Sequence, residues 1–268
     1  MKDPTSRWRV IRAGIVIVSV AALLAWRRNI VAQTGTTGAS PGTRAVQVPF
    51  VGCASDGQVG PLEAPKGKAR SLPILASVAE RLADYAAENG PQVLGPRGWY
   101  CFGTYGSNGA SLFLSPEPIS GKDLFSDSWK GFSGTAIQIS VSDSGTSGRF
   151  EVAAVIARVF PAHQSFVKDV ISEGIEPASS FPTGPYPNDK LTYLNPKTVE
   201  FETPANTDGL GTRSRLLKNN MPIRGVAILD PGDDGSLTLV SIRLPAGLTD
   251  LTGVIVRQVE RDAALLNK

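Results

Sequence analysis

The sequence is poor in the residues that do chemistry near neutral pH. It has one histidine, His163, and two cysteines, Cys53 and Cys101, in 268 residues. Zinc and copper sites draw their ligands mainly from these two residue types, so the chain is badly supplied for either metal. No Cys-x-x-Cys pair occurs, which removes the usual dithiol redox arrangement. No Gly-x-Ser-x-Gly occurs either. The runs Gly131-Phe132-Ser133-Gly134 and Gly145-Thr146-Ser147-Gly148 are one residue too compact for a nucleophile elbow and read as loops. The N-terminal apolar run, Ala13 to Trp26, is fourteen residues long, short of the roughly 20 that a membrane span needs.

That run follows a basic head of Lys2, Arg7, Arg9 and Arg12, the order of an export signal. Residues 1–32 are therefore read as a leader, cut after Ala32. Arg27 and Arg28, directly behind the apolar run, suit instead a retained anchor in the inner membrane. Export places the protein in the periplasm or outside the cell. There a pair of cysteines is most simply a disulfide, Cys53–Cys101. The leader also explains the charge. It holds six of the 27 basic and one of the 24 acidic residues, which leaves 21 against 23, net −2, in the remainder. The overall +3 belongs to the leader, and nothing argues for a nucleic-acid partner. Membrane contact is expected only through residues 13–26, if the leader is retained.

Residues 33–45 are small, polar and glycine-rich and read as a flexible tether. Residues 46–268 read as a globular α+β region with a possible subdivision near 176–189, where Pro177, Pro182, Pro185 and Pro187 crowd the chain. Strands are expected at 46–50, 99–102, 112–114, 136–141, 191–194, 199–203, 225–229 and 237–244. Two turns carry hairpin signals, Gly106-Ser107-Asn108-Gly109 and Asp233-Asp234-Gly235. Residues 72–89 give the clearest helix, with Leu75, Val78, Leu82 and Tyr85 at helical spacing and Glu80, Arg81, Asp84 and Glu88 on the other face. Further helices are expected at Phe150 to Phe160, buried and stopped by Pro161, around Phe166 to Ile171, and from Asp250 to about Leu266. Strands and helices interleave without a βαβ period, which predicts a mainly antiparallel sheet with packed amphipathic helices and one disulfide.

Four places carry candidate chemistry. His163 is the sole imidazole. As a base it would need a serine and an acid such as Asp169 or Glu173, with Ser165 two residues on; otherwise it is an exposed or capping residue at a helix start. Asp230, Asp233 and Asp234 offer calcium oxygens but lack the spacing of a binding loop, so they read as a turn. The run Asp208-Gly209-Leu210-Gly211-Thr212-Arg213 could cradle an anion, or it is a glycine-dependent turn packed on the sheet. Arg97, Trp99, Tyr105 and Asn108 lie in an aromatic, glycine-rich stretch that could form a ligand shelf, or the core around the disulfide.

The runs Val48-Pro49-Phe50-Val51-Gly52-Cys53-Ala54-Ser55-Asp56-Gly57, Pro96 to Gly109 and Asp208 to Thr212 resemble exported bacterial proteins of uncharacterised function. The resemblance implies a bacterial envelope location and assigns no activity to any residue. The sequence is read as a non-catalytic extracytoplasmic protein that binds an envelope protein or a small ligand. Arg97, Trp99, Tyr105 and Asn108 with Asp208, Thr212 and Arg213 form its expected contact surface, and no cofactor or metal is expected. The alternative is a Ser/His hydrolase built on His163. A third possibility is an inhibitor-type protein that caps another envelope enzyme.

Overall fold

The computed structural model describes residues 45–231 and 235–266. The leader, nearly all of the tether, and Asp233 and Asp234 of the expected turn lie outside them. In chain order the strands are β1 Val46–Val48, β2 Phe50–Cys53, β3 Ser55–Gly57, β4 Arg70–Leu72, β5 Leu82–Ala87, β6 Gln92–Pro96, β7 Tyr100–Gly106, β8 Gly109–Ser115, β9 Ala136–Asp143, β10 Lys190–Asn195, β11 Thr198–Thr203, β12 Ile223–Asp230 and β13 Ser236–Arg243. The helices are α1 Ala76–Ala79, α2 Gly121–Leu124, α3 Arg149–Val159, α4 Gln164–Ser172 and α5 Thr252–Leu266. The fold is α+β with a large, mostly antiparallel sheet, as the interleaving of elements predicts.

That sheet has eight strands in the order β10-β11-β12-β13-β9-β8-β7-β3. Every neighbouring pair is antiparallel except β3 with β7. β9 and β13 pair along their whole lengths, Ala136 with Arg243 through Asp143 with Ser236. Strands from both sides of the proline-rich stretch at 176–189 thus share one sheet, and the described residues fall in one compact unit.

The sheet is apolar on both faces, because successive strand residues point to opposite sides. Ile137, Ile139, Val226, Ile228, Val240 and Ile242 face one core, covered by β5, β6 and α5. Ala227, Leu229, Leu237, Leu239, Val199 and Phe201 face a second, covered by α3 and α4. Burial on both faces explains why Val226–Leu229 reads as a continuous apolar run rather than an alternating one. α3 is buried almost all round, from Val152 to Ala157 and again at Val159. α4 is amphipathic, with Val167 and Val170 turned inward.

The helix expected at 72–89 is not formed. One helical turn, α1, is followed by strand β5. β5 pairs in parallel with β2 and antiparallel with β6 in a three-stranded sheet. Leu75, placed on the buried helical face, is 66% exposed, whereas Leu82, Ala83, Asp84 and Tyr85 are consecutive and all buried. Such a run belongs to a strand covered on both sides. Its partners lie about 30 residues before it and just after it, so pairing overrides the local helical spacing.

The two sheets are joined covalently. Cys53 at the end of β2 bonds Cys101 in β7, with Cα atoms 5.4 Å apart. Closing a loop with a sequence separation of 48 stabilises by about 4 kcal/mol on the chain-entropy argument. α5 is tied down by charge as well as packing. Arg70 of β4 pairs with Asp262 of α5 and faces Asp84 of β5 at 3.8 Å. Burial raises the Asp84 carboxyl above its ordinary range, against the pull of Arg70 and of the Gln92 amide. At the far edge Glu260 of α5 faces Glu200 of β11. Burial, then the charge of Glu200, lifts Glu260 to about 7, while Arg257 and Arg261 lower it.

Two predictions follow from these contacts. Replacing both cysteines by alanine lowers the unfolding free energy by about 2–5 kcal/mol in urea titrations; an unchanged midpoint refutes the staple's role. Glu260 is raised in the fold, so the folded state holds a proton that the unfolded chain releases. Its contribution is complete below the unfolded value near 4.5, and is lost as pH rises to about 7. Glu260→Gln therefore gains in Tm on the native protein as pH goes from about 5 to about 8. A Tm difference that does not vary with pH contradicts this assignment.

Candidate functional site

The cavity that brings the chain's only histidine together with serines and carboxylates lies where the end of β9, the helix pair α3–α4 and the end of β12 meet. Its volume is about 310 Å³, and Ser144, Val152, Ile156, His163, Ser165, Phe166, Asp169, Leu229, Asp230 and Pro231 line it. The local sequence builds it in three steps. β9 ends at Asp143, and the Ser144 N–H donates to Gly235 O at 2.8 Å, which fixes the strand end beside the start of β13. A tight turn of small residues follows, held by Gly145 N–H to Asp143 Oδ1 at 2.9 Å and Thr146 Oγ1–H to Asp143 O at 3.2 Å. Gly148 then opens α3 against the strand. A Cβ there would meet Asn108 O at 2.3 Å and Asp143 O at 2.6 Å, so only glycine permits the approach.

At its other end α3 stops before Pro161, and a 3₁₀ turn, Pro161–His163, leads into α4. Gln164 donates its side-chain amide to Ile156 O at 2.9 Å and occupies the end of α3. His163, next to it in the turn, lines the cavity. Strand, turn, helix, turn and helix thus bring Ser144 and His163, nineteen residues apart in sequence, to one opening. Ser144 Oγ and His163 Nε2 are both buried and have no hydrogen-bond partner among the described residues. Val152, Ile156, Phe166 and Leu229 supply apolar walls. Asp169 is exposed and Asp230 half-buried, so the carboxylates lie toward the mouth. Among the described residues, no hydrogen bond joins His163 to a serine or a carboxylate. Ser144 and His163 therefore line one cavity with a buried, unpartnered hydroxyl and ring nitrogen in its wall, without an assembled nucleophile and base.

The residues of the expected contact surface are spread over the molecule. Arg97 donates to Leu82 O and Ala79 O, both at 3.3 Å, and Trp99 N–H donates to the Tyr85 hydroxyl at 3.1 Å. Both lie before the start of β7. Tyr105, whose hydroxyl donates to Gly60 O, and Asn108, exposed in the β7–β8 turn, lie at its other end. A seven-residue strand separates these ends by about 20 Å. Tyr105 also lines an open groove of about 620 Å³ together with Asn89, Asp143 and Ser236.

The 208–213 loop is internally satisfied. Gly209 N–H donates to Thr212 Oγ1, Leu210 N–H to Asp189 Oδ2 and Gly211 N–H to Thr203 Oγ1. Asp208 pairs with Lys218. Arg213 holds Glu151 of α3 through two hydrogen bonds. Burial alone would lower the Arg213 pKa, but the Glu151 carboxylate outweighs it and the guanidinium stays firmly charged. The backbone donors that an anion would use are therefore already engaged, and the loop packs as a turn on the sheet end. Ser144 and Asp230 enter the site without having been marked for it in the sequence. The available signal was a strand end followed by Ser-Gly-Thr-Ser-Gly and an apolar helix, with the sole histidine in the next turn.

No protein-family model, no curated protein and no solved structure matches the chain.

If Arg213 is a structural clamp, Arg213→Ala leaves the Glu151 carboxylate without its partner and costs about 1–3 kcal/mol. The check is a urea denaturation midpoint together with hydrogen exchange at residues 209–212. Native stability and native protection in the variant would contradict the clamp.

Proposed function

We propose that the protein is a non-catalytic, extracytoplasmic protein of the bacterial envelope that binds a small ligand in the Ser144–His163 cavity. The leader-like N-terminus, the disulfide between two sheets and the resemblance to exported bacterial proteins support the location. Among the described residues no helix is long and apolar enough to cross a membrane.

The observation that carries the ligand reading is a cavity of about 310 Å³ lined by the sole histidine, two serines and two carboxylates, with Ser144 Oγ and His163 Nε2 buried and unpartnered in its wall. Leaving a buried polar group unsatisfied costs about 1–3 kcal/mol. Two such atoms in the wall of one opening of small-ligand size mark it as a place where a ligand's arrival, with a small side-chain shift, brings them partners. The groups belong to separate turns, so no local capping requirement accounts for both.

A hydrolase is the second reading, favoured by the same juxtaposition of a serine hydroxyl with the chain's only imidazole. It requires the two to join by a hydrogen bond when substrate enters, a tightening that free enzymes often need. The experiment separates the readings. Histidine-labelled protein gives one imidazole resonance set, from His163. Small fragments that stabilise the protein thermally are expected to shift it, and Ser144→Ala and His163→Ala are expected to abolish that stabilisation. Without ligand, Ser144→Ala leaves Tm unchanged or higher, because it removes a buried group that has no partner. Fragments that stabilise both variants as well as the parent chain overturn the site. Covalent labelling of Ser144 by a fluorophosphonate, lost in His163→Ala, replaces binding with hydrolysis as the function.

A further inference from the structure

A second pocket, of about 230 Å³, lies across the ends of β7, β8 and β9 and shares no lining residue with the Ser144–His163 cavity. The pleat builds it. Thr104 of β7 lies opposite Ser111 of β8, and Ser111 lies opposite Ser140 of β9, so three hydroxyl residues stand in a row on one face. Ser142, two residues along β9, falls on the same face. All four are half-buried. Leu112 and Ile139, which alternate with them, point into the core. An aromatic ring joins them from α2. A Cβ on Gly121 would meet Phe102 Cζ at 3.0 Å and Phe125 Cε2 at 3.5 Å, so Phe125 is backed by the start of its own helical turn. It is nevertheless 57% exposed, and it lines the pocket with Thr104, Asn108, Ser111 and Ser142.

Two observations set the chemistry of this pocket. Its lining contains no aspartate, glutamate, lysine, arginine or histidine. Asp143, next along β9, lies outside the lining and accepts from Gly145 N–H. The second observation is a chain of hydrogen bonds that runs out from the core. Arg215 N–H donates to Gln138 Oε1 at 2.6 Å, Gln138 Nε2–H donates to Ser140 Oγ at 2.8 Å, and Ser140 Oγ and Ser111 Oγ lie 2.8 Å apart. The backbone donor fixes which way the buried Gln138 amide points. Ser140 accepts from that amide, so the arrangement that uses every donor has Ser140 donating to Ser111. The Ser111 hydroxyl is then left to donate toward the pocket, polarised by the bonds behind it. Among the described residues, the side chains of Thr104, Asn108 and Ser142 make no hydrogen bond.

We infer that the pocket holds one neutral sugar ring, free or at the end of a longer glycan. A pyranose has a C–H face, slightly positive, that rests on the negative face of an aromatic ring such as Phe125. Its rim of hydroxyls both donates and accepts, and so matches Thr104, Ser111, Ser142 and the Asn108 amide. A charged ligand would give up hydration and find no opposite charge in the lining. A purely apolar ligand would cover the hydroxyl row and leave it without partners. The volume suits a single ring.

The test titrates the full chain, with backbone amide resonances as reporter, against glucose, galactose and N-acetylglucosamine, and against cellobiose, lactose and chitobiose, which carry the same rings at a chain end. At least one is expected to shift the amides of residues 109–111 and 142 saturably, with millimolar affinity. Binding by the monosaccharide alone identifies a free sugar, and binding by the disaccharide as well identifies a chain end; both uphold the ring. Phe125→Ala is expected to weaken the best binder about threefold to tenfold, and Phe125→Trp to keep it. Ser111→Ala is expected to weaken it by about the same factor. Phe125 is exposed, so its truncation tests binding rather than folding. The inference is overturned if no sugar moves these amides, if Phe125→Ala binds as the parent chain does, or if glucuronate outcompetes glucose. It is also overturned if cyclohexylmethanol shifts the same amides as strongly as the sugars, since the pocket is then an apolar shelf. None of these outcomes bears on the Ser144–His163 cavity, whose own fragments and variants decide it.

Discussion

Strands β9, β12 and β13 have no solvent face. Residues that alternate in direction along them, Val226 with Ala227, Ile228 with Leu229, and Leu239 with Val240, are apolar on both sides. A sheet of this kind is unstable in water until each face is covered. One cover is the β2-β5-β6 sheet with α5, and the other is the helix pair α3–α4. The first needs long-range pairing, because its strands come from segments that flank the short α1 turn. The disulfide serves this cover directly, since it joins β2 of the covering sheet to β7 of the large one. The second cover is contiguous in sequence with β9. It is held at its end by Arg213–Glu151 and Arg149–Glu173, which link α3 to the loop at 208–213 and to the region just beyond α4.

Arg243 shows how tightly the sheet end is closed. It is 1% exposed and lies at the end of β13. It donates to the carbonyls of Gly134 and Leu217, with no carboxylate beside it among the described residues. A guanidinium buried against carbonyl dipoles alone is an expensive arrangement, and burial accordingly lowers its pKa. Its geometry explains why it is retained there. One planar fork reaches two separate loops, at 133–134 and at 217, and pins both to the strand end. The same end of the sheet carries the internally satisfied 208–213 loop. The two glycines there that resemble a phosphate cradle are needed for close packing: a Cβ on Gly211 would meet Ile223 Cβ at 2.7 Å, and one on Gly209 would meet Thr203 Oγ1 at 2.5 Å.

Much of this architecture is legible in the sequence where local signals and long-range pairing agree. The β7–β8 hairpin is announced by its Gly-Ser-Asn-Gly turn, α3 by an apolar run ending at proline, and β10 to β13 by short apolar segments between turns. The failure at 72–89 comes from the opposite case. Leu75, Val78, Leu82 and Tyr85 keep a helical spacing, but Asp84 between them is fully buried among Arg70, Gln92 and Asp262. A buried aspartate that depends on β4, β6 and α5 for its neighbours leaves no trace in a window of sequence. The candidate site was half legible for the same reason. His163 stands out by being alone, whereas Ser144 gains meaning only when the chain folds back and α4 brings the histidine to the end of β9.

The position of the cavity follows from how the second cover is made. α3 must start close to the sheet, which Gly148 allows, and it must stop at Pro161 so that α4 can fold back. α3 and α4 are joined by the 3₁₀ turn Pro161–His163, and the cavity lies where Val152, Ile156, His163 and Phe166 of this pair meet the ends of β9 and β12. The opening is therefore a geometric consequence of the cover, but its lining is not. Apolar residues at 144 and 163 would remove two unsatisfied polar atoms. The chain instead lines it with two serines, its only imidazole and two carboxylates. Stability alone would favour the apolar choice, since a buried polar group without a partner gives the fold nothing in return. A polar lining over an otherwise apolar layer is the kind of local conflict that folds keep where a ligand resolves it.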